Sequence, residues 1–394
     1  MINNDFNDYD LGNGTNVTYD TNNLDFNWNE LLPTLIVYSV TFILGLTGNI
    51  LIVFTTYKYR RMKSVTNVFL SSLASSDLIL IIVCIPVKVA KLFSYTWEMG
   101  AVVCKGIHYM QYVSAICSVL TLTAISIERY YAIVHPMKAK YVCTISQAKR
   151  IILVIWILAI ILGVPTLKAQ LHLPVGKRNE SNYCVRGWDD NPTIHKFHEL
   201  YMFILIFVGP FCIMAFSYGL ICWEIWKVIE RRSTMTSEQV LSRLPGKYTI
   251  SQNKKLIENT NTNNSSKTKN SARDDTTVVK QVICMLVTVV VLFAVCWTPM
   301  LIDNVLTAYG VLPFMKFGTI KYMSNAFSLM AYFNSCINPI IYGFMSKSFR
   351  DSFVQALCLQ RRALHERANS YSLRHVSTRA SSVKSIVTRT ASLK

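Results

Sequence analysis

Residues Cys104 to Tyr131, CKGIHYMQYVSAICSVLTLTAISIERYY, decide the fold. A cysteine beside Lys105 opens the stretch, an apolar run follows, and a Glu128-Arg129 pair closes it. At about 1.5 Å of rise per residue, Cys104 and Arg129 stand about 37 Å apart on one helix. A bilayer's hydrocarbon core is about 30 Å thick, so the two ends face opposite sides of a membrane.

The composition agrees. Hydrophobic residues make up 52% of the chain and charged residues 16%, against about 25% charged in a soluble domain. In a soluble protein the net charge of +18 would suggest nucleic acid, but here the charge is unevenly placed. Residues 1–34 carry Asp5, Asp8, Asp10, Asp20, Asp25 and Glu30 and no Lys or Arg, while the basic residues lie in loops and the tail. That distribution is topological, and no nucleic-acid partner is expected.

Six further apolar runs flank this stretch, which is the third of seven in chain order: about 32–56, 65–92, 148–169, 197–227, 278–308 and 320–344. Lys58, Arg60, Arg61 and Lys63 follow the first run, and Lys138, Lys140, Lys149 and Arg150 separate the third from the fourth. With the basic segment after the fifth, these loops of one parity put the N-terminus outside and the C-terminus in the cytoplasm. The expected architecture is an all-α, multi-pass plasma-membrane protein: a seven-transmembrane helix bundle over residues 32–346. The first thirty residues lack the apolar core of a secretory signal, so insertion is expected to rely on the first span.

The remaining segments are polar. Residues 1–31 read as an acidic extracellular tail, with glycosylation sequons at Asn13 and Asn16 and a third at Asn179 in an outer loop. Residues 228–277 read as a cytoplasmic loop whose middle, 258–270, is too polar to fold. An amphipathic helix over 347–359 (Phe349, Phe353 and Leu357 against Lys347 and Arg350) would lie on the inner membrane surface, meeting membrane lipid. Cys358 at its end is a candidate for palmitoylation. Residues 360–394 read as a disordered cytoplasmic tail, with Ser370, Ser372, Ser377, Thr378, Ser381 and Ser382 among arginines.

Of eleven cysteines most fall inside apolar runs, where Cys behaves as a small hydrophobe. There is no C-x-x-C pair, so no structural metal is expected. The His195-x-x-His198 pair lacks a third ligand nearby and reads as two exposed polar residues.

Polar residues inside spans are costly and so informative. Asp77 lies mid-span, and Asn49, Ser118, Asn334, Ser335 and Asn338 are its expected company. Such a set suits a hydrated pocket for a hard monovalent cation or a proton, and equally a polar network that knits helices together. Glu128 and Arg129, adjacent on a helix, do not fully face each other, so Arg129 should find a second partner. Pro299 and Pro339 remove backbone hydrogen bonds and permit hinges in the sixth and seventh spans.

Taken together, Gly48-Asn49, Leu73-Ala74-x-x-Asp77, Cys104, Glu128-Arg129-Tyr130, Trp156, Cys184, Pro210, Tyr218, Phe293-x-x-Cys296-Trp297-x-Pro299 and Asn338-Pro339-x-x-Tyr342 resemble the rhodopsin-like G-protein-coupled receptors. The likeness covers about residues 32–359. The runs HYMQYVS and 127–149 are similar to the neuropeptide branch, among them thyrotropin-releasing-hormone, neuromedin and insect amidated-peptide receptors.

The resemblance implies a non-enzymatic receptor with no cofactor beyond an allosteric sodium ion. It implies a Cys104–Cys184 disulfide and a sodium site of Asp77, Ser118, Asn334, Ser335 and Asn338. Trp297 and Phe293, with Pro210 and Val119, would form a packing switch. Glu128, Arg129, Tyr130, Tyr218, Pro299, Pro339 and Tyr342 would form the switch that opens for a heterotrimeric G protein, with arrestin and receptor kinases as further partners. The acid that often holds the arginine from the sixth helix is replaced here by Val279, with Asp274 and Asp275 a turn or more earlier.

Gln111 occupies the position where amine-binding members carry an aspartate. A neutral amide supplies no counter-ion for a desolvated ammonium, which argues against monoamines. A glutamine donates and accepts, which suits an amidated peptide end. Around it the expected ligand contacts are His108, Tyr112, Glu199, Trp297, Asp303 and Asn304. Asp189, Asp190, Glu199 and Asp303 could hold a peptide's Arg or Lys, and Lys88, Lys91, Lys168 and Lys196 could equally hold an acid, so the sequence leaves the peptide's charge open. The competing reading is a transporter or channel using the Asp77 cluster; the lack of an internal repeat argues against it.

Overall fold

In the computed structural model, residues 28–94, 96–175, 181–187, 191–241, 258–313, 316 and 318–358 are described; within these, 29, 30, 61, 175, 181, 229, 232–241 and 258–279 are described in backbone only. The sequons, Asp189 and Asp190, and the tail from 359 lie outside the described residues.

The chain is a bundle of long helices: α1, Trp28–Lys58; α2, Val65–Leu92; α3, Gly100–Val134; α4, Ile145–Gly163; α5, which begins at Pro192 and ends at Leu241; α6, Glu258–Ala308; and α7, Gly318–Met345. A helical segment, Pro136–Val142, links α3 to α4, and a last helix, α8, covers 347–358. Between α4 and α5 lies an antiparallel hairpin of β1, Gln170–Val175, and β2, Ser181–Arg186.

Helices α1 to α6 each carry a segment long and apolar enough to cross a membrane. Their apolar residues face outward, as with Ile36, Ile43 and Phe54 on α1 and Leu153, Ile157 and Ile161 on α4. Such a continuous apolar surface is stable in lipid, not in water. The chain is therefore a multi-pass membrane protein. Helix α7 is long enough too, but Asn325, Asn334, Ser335 and Asn338 dilute its hydropathy.

The helices close into a ring, with α7 packed on α1 and α6, α1 on α2, and α5 on α6. Helix α3 packs on α2, α4 and α5, and 78% of its apolar window is buried, more than in α1, α2, α4, α5 or α6. The stretch that decided the fold is the central post.

Prolines set the irregularities. A proline has no N–H, so the carbonyl four residues earlier loses its partner. Wider π-turns at Leu80–Cys84 and Ile204–Val208 precede Pro86 and Pro210 and re-space the ladder there. At Pro339 the loss is repaired from another helix: Asn49 Nδ2 donates to the stranded Ser335 carbonyl at 2.8 Å and to the Gly45 carbonyl at 2.9 Å. Gly48 makes this approach possible, because a Cβ there would meet Pro339 Cβ at 2.6 Å. The Gly48-Asn49 motif thus joins α1 to the proline bend of α7.

Helix α5 runs to Leu241 and α6 starts at Glu258, whereas the sequence reading makes 228–277 a loop with an unfolded middle at 258–270. Once a span is helical, each added residue fixes one more hydrogen bond without a new nucleus, so helices propagate beyond the apolar segment.

Candidate functional site

The functional residues divide between the two ends of α3. At the first end, Cys104 and Cys184 form a disulfide that ties β2 to α3. The Trp97 backbone N–H donates to the Asn182 carbonyl at 2.7 Å, fixing the α2–α3 connection to the same hairpin.

Side chains alternate along a strand, so Arg186 shares the face of Cys184 and points into the bundle. Its guanidinium lies 4.9 Å from the Tyr112 ring centroid and 3.4 Å from Glu199 Oε2. Burial opposes its charge, but Glu199, Tyr112 and Asp303 outweigh that, and its pKa stands above the ordinary guanidinium value. Arg186 is a fixed cation within the site. The sequence reading missed it, although its two-residue offset from Cys184 was a usable signal.

Glu199 is buried among His198, whose Nδ1 lies 3.1 Å from Oε1, and His195 at 3.7 Å. The two histidines are therefore buried, not the exposed pair that the sequence suggested: α5 starts at Pro192 and turns both inward. Asp303 on α6 is engaged by Lys316 and by Ser324 Oγ of α7 at 3.1 Å. Of the four carboxylates expected to await a basic ligand residue, the two that are described, Glu199 and Asp303, already hold cations of this chain.

Below the hairpin Gln111 is buried, accepting from Tyr332 Oη at 3.0 Å and donating to Met300 Sδ at 3.5 Å. Its amide joins α3 to α6 and α7. Asn304 Nδ2 donates to Tyr112 Oη at 3.2 Å. A cavity of about 150 Å³ opens among Val185, Arg186, His195, Asn304, Thr307 and Lys316. That is below the usual 300–1,000 Å³ of a small-molecule pocket, room for a single side chain or end group.

Midway down, Asp77 accepts from Ser335 Oγ and Asn338 Nδ2, each at 2.9 Å. Ser118 instead bonds Ser76 at 2.9 Å and not the carboxylate. Asn334 Oδ1 is buried with no partner among the described residues. A carboxylate with an orphaned amide oxygen on the same helix as its two donors suits a hard cation. Trp297 stacks on Phe293 at 5.9 Å, and Phe293 faces Phe211 at 6.4 Å.

At the opposite end Arg129 donates from Nε to Glu128 Oε2 and from Nη2 to Glu128 Oε1, each at 2.6 Å, and from Nη2 to Thr66 Oγ1. Thr66 also donates to Glu128 at 3.2 Å. The adjacent pair does meet, and the second partner is Thr66 on α2. Val279, Asp274 and Asp275 lie where only the backbone is described. Tyr218 and Tyr342 are within electrostatic reach of one another, and their buried hydroxyls have no partner among the described residues. Tyr130 turns away to His135, 3.2 Å from its hydroxyl.

A bundle with this disulfide, this glutamine and this arginine lock matches a known family. Residues 48–342 match the 7 transmembrane receptor (rhodopsin family), and the chain belongs to that family. It is 30% identical over 326 residues to the pyroglutamylated RF-amide peptide receptor of Rattus norvegicus, covering 81% of this chain and 68% of the relative. It is 32% identical over 343 residues to the cholecystokinin receptor type A of Homo sapiens, covering 81% and 79%. With the QRFP-like peptide receptor of Branchiostoma floridae it shares 30% over 330 residues, covering 82% and 77%. These proteins are receptors, not enzymes.

Proposed function

We propose that this chain is a plasma-membrane receptor that binds an extracellular peptide at the disulfide end and activates a heterotrimeric G protein at the Arg129 end. The observation that carries the reading is the shared post: Gln111 and Arg129 lie on one buried helix, each tied to neighbouring helices. At about 1.5 Å per residue they are about 27 Å apart, so no ligand touches both. The signal is a shift between two packings, weighted by the ligand's differential affinity. Peptide recognition is supported by the chain's similarity to peptide receptors and by Gln111, whose amide suits the amidated end of a peptide.

In this reading α7 is the seventh span, the N-terminus is outside and the tail cytoplasmic. Helix α8 lies on the inner membrane surface with Val354 and Leu357 toward lipid, and Cys358 carries a palmitoyl chain. Asp77, Ser335, Asn338 and Asn334 would hold a sodium ion, which would supply charge balance in the resting packing. Activation releases Arg129 from Glu128 and Thr66 and brings the hydroxyls of Tyr218 and Tyr342 into new bonds. Receptor kinases and arrestin act on the tail, and the sequons at Asn13, Asn16 and Asn179 carry glycans.

The test is peptide-stimulated nucleotide exchange on a G protein in purified membranes, with solute flux in liposomes as the contrary readout. Flux without exchange would sink the proposal.

A further inference from the structure

Among the described residues, the ionisable groups at the disulfide end do not balance. On the α5 and α6 side, Glu199 and Asp303 are each neutralised from within, by Arg186 and Lys316. On the α2 and α3 side Lys88 and His108 are half-buried and Lys91 is exposed. Cys84 Sγ, one turn before Lys88 on α2, donates to the Ile107 carbonyl of α3 at 3.6 Å, which brings His108 to the Lys88 level. Lys88 also lies within electrostatic reach of Lys91, Arg186 and His108, and Lys91 within reach of Lys321. Lys91 also sits over the Trp97 ring at 5.9 Å. Among the described residues no carboxylate pairs with Lys88 or Lys91. A cation inside an apolar span is costly and ordinarily pairs or meets water, and neighbouring like charges add to the cost. Glu199 does not relieve this, because its carboxylate is committed to Arg186 and His198.

We propose that Lys88, Lys91 and His108 form an anion subsite that receives a carboxylate side chain of the peptide, so that the ligand is acidic where it lies against α2 and α3. This rests on the peptide-receptor reading and decides the peptide charge that the sequence leaves open. An ammonium pair on one helix, at i and i+3, presents a carboxylate with two donors. The same field repels a peptide with a basic residue at that point, which gives selectivity as well as affinity.

Three synthetic libraries of short amidated peptides test it, alike except for one fixed residue: Asp, Asn or Lys. The full chain, tagged at its N-terminus to measure surface amount, is read by nucleotide exchange. The Asp library should be about tenfold or more as potent as the Asn library, and the Lys library weaker still. Lys88→Gln at equal surface amount should erase the Asp-over-Asn gap, Lys88→Arg should keep it, and Lys88→Glu should favour the Lys library. If Lys88→Gln does not reach the surface, Lys91→Gln, at a more exposed site, should narrow the gap several-fold. Equal potency of the Asp and Asn libraries, or a gap that survives both Gln variants, overturns the subsite while leaving the receptor reading intact. Silence of all three libraries, where the same membranes respond to a direct G-protein activator, overturns the receptor reading and the subsite with it.

Discussion

Gln111 and Arg129 are two polar side chains on one helix with opposite surroundings, and their substitutions should differ accordingly. Gln111 is buried with both its amide oxygen and nitrogen engaged. Gln111→Ala should lower agonist potency about tenfold, the equivalent of roughly 1.5 kcal/mol for a buried hydrogen bond. A dose–response curve that does not move would place the ligand elsewhere. Arg129 lies far from the ligand end. Arg129→Ala should abolish G-protein activation yet leave ligand affinity within several-fold, by exchange assay and by competition binding respectively. A normal exchange response would remove Arg129 from the switch.

The elements owe their joints to groups left over within each helix. Pro339 strands the Ser335 carbonyl, and Asn49 answers it from α1. Asn49→Ala would leave that carbonyl buried without a donor, at a cost of about 1–3 kcal/mol. Its thermal midpoint in detergent should fall, and an unchanged midpoint would show that the α1–α7 joint is not stabilising. Trp156 on α4 donates to Ser72 on α2 at 3.1 Å, and Tyr109 on α3 to the Ile160 carbonyl on α4 at 3.0 Å, so α4 is pinned in the same manner. The spans were legible in the sequence because apolar runs of membrane length with basic flanks have few other uses. The ends of α5 and α6 were not, because helix propagation beyond the apolar run depends on an already formed turn and leaves no compositional mark.

For the whole molecule, the proposed function is an equilibrium between packings, in which the cluster where α2 meets α3 would hold the resting one. In that reading Val279, where the resembled family often has an acid, leaves out one restraint, and the Glu128, Thr66 and Arg129 cluster would supply another. Thr66→Ala removes the bond from the arginine to α2, a change of about 1 kcal/mol, and should raise ligand-free nucleotide exchange about fivefold. Basal exchange equal to wild type would mean that this cluster does not set the resting state.

The sequence by itself determined the membrane class, the order of spans and the depth of each residue on α3. A helix in lipid must satisfy its own backbone, so rise per residue converts numbering into depth. The tertiary structure alone decided who pairs with whom. Arg186 meets Glu199, Lys316 meets Asp303, Asn49 meets the Ser335 carbonyl and Arg129 meets Thr66, each across a gap in sequence that no local pattern spans. The buried carboxylates at the disulfide end thereby changed from sites awaiting a basic ligand into neutralised partners. Which charges are spent inside the fold, and which are left for a ligand, depends on helix packing, since an ion pair forms only when both groups arrive at one point with water excluded.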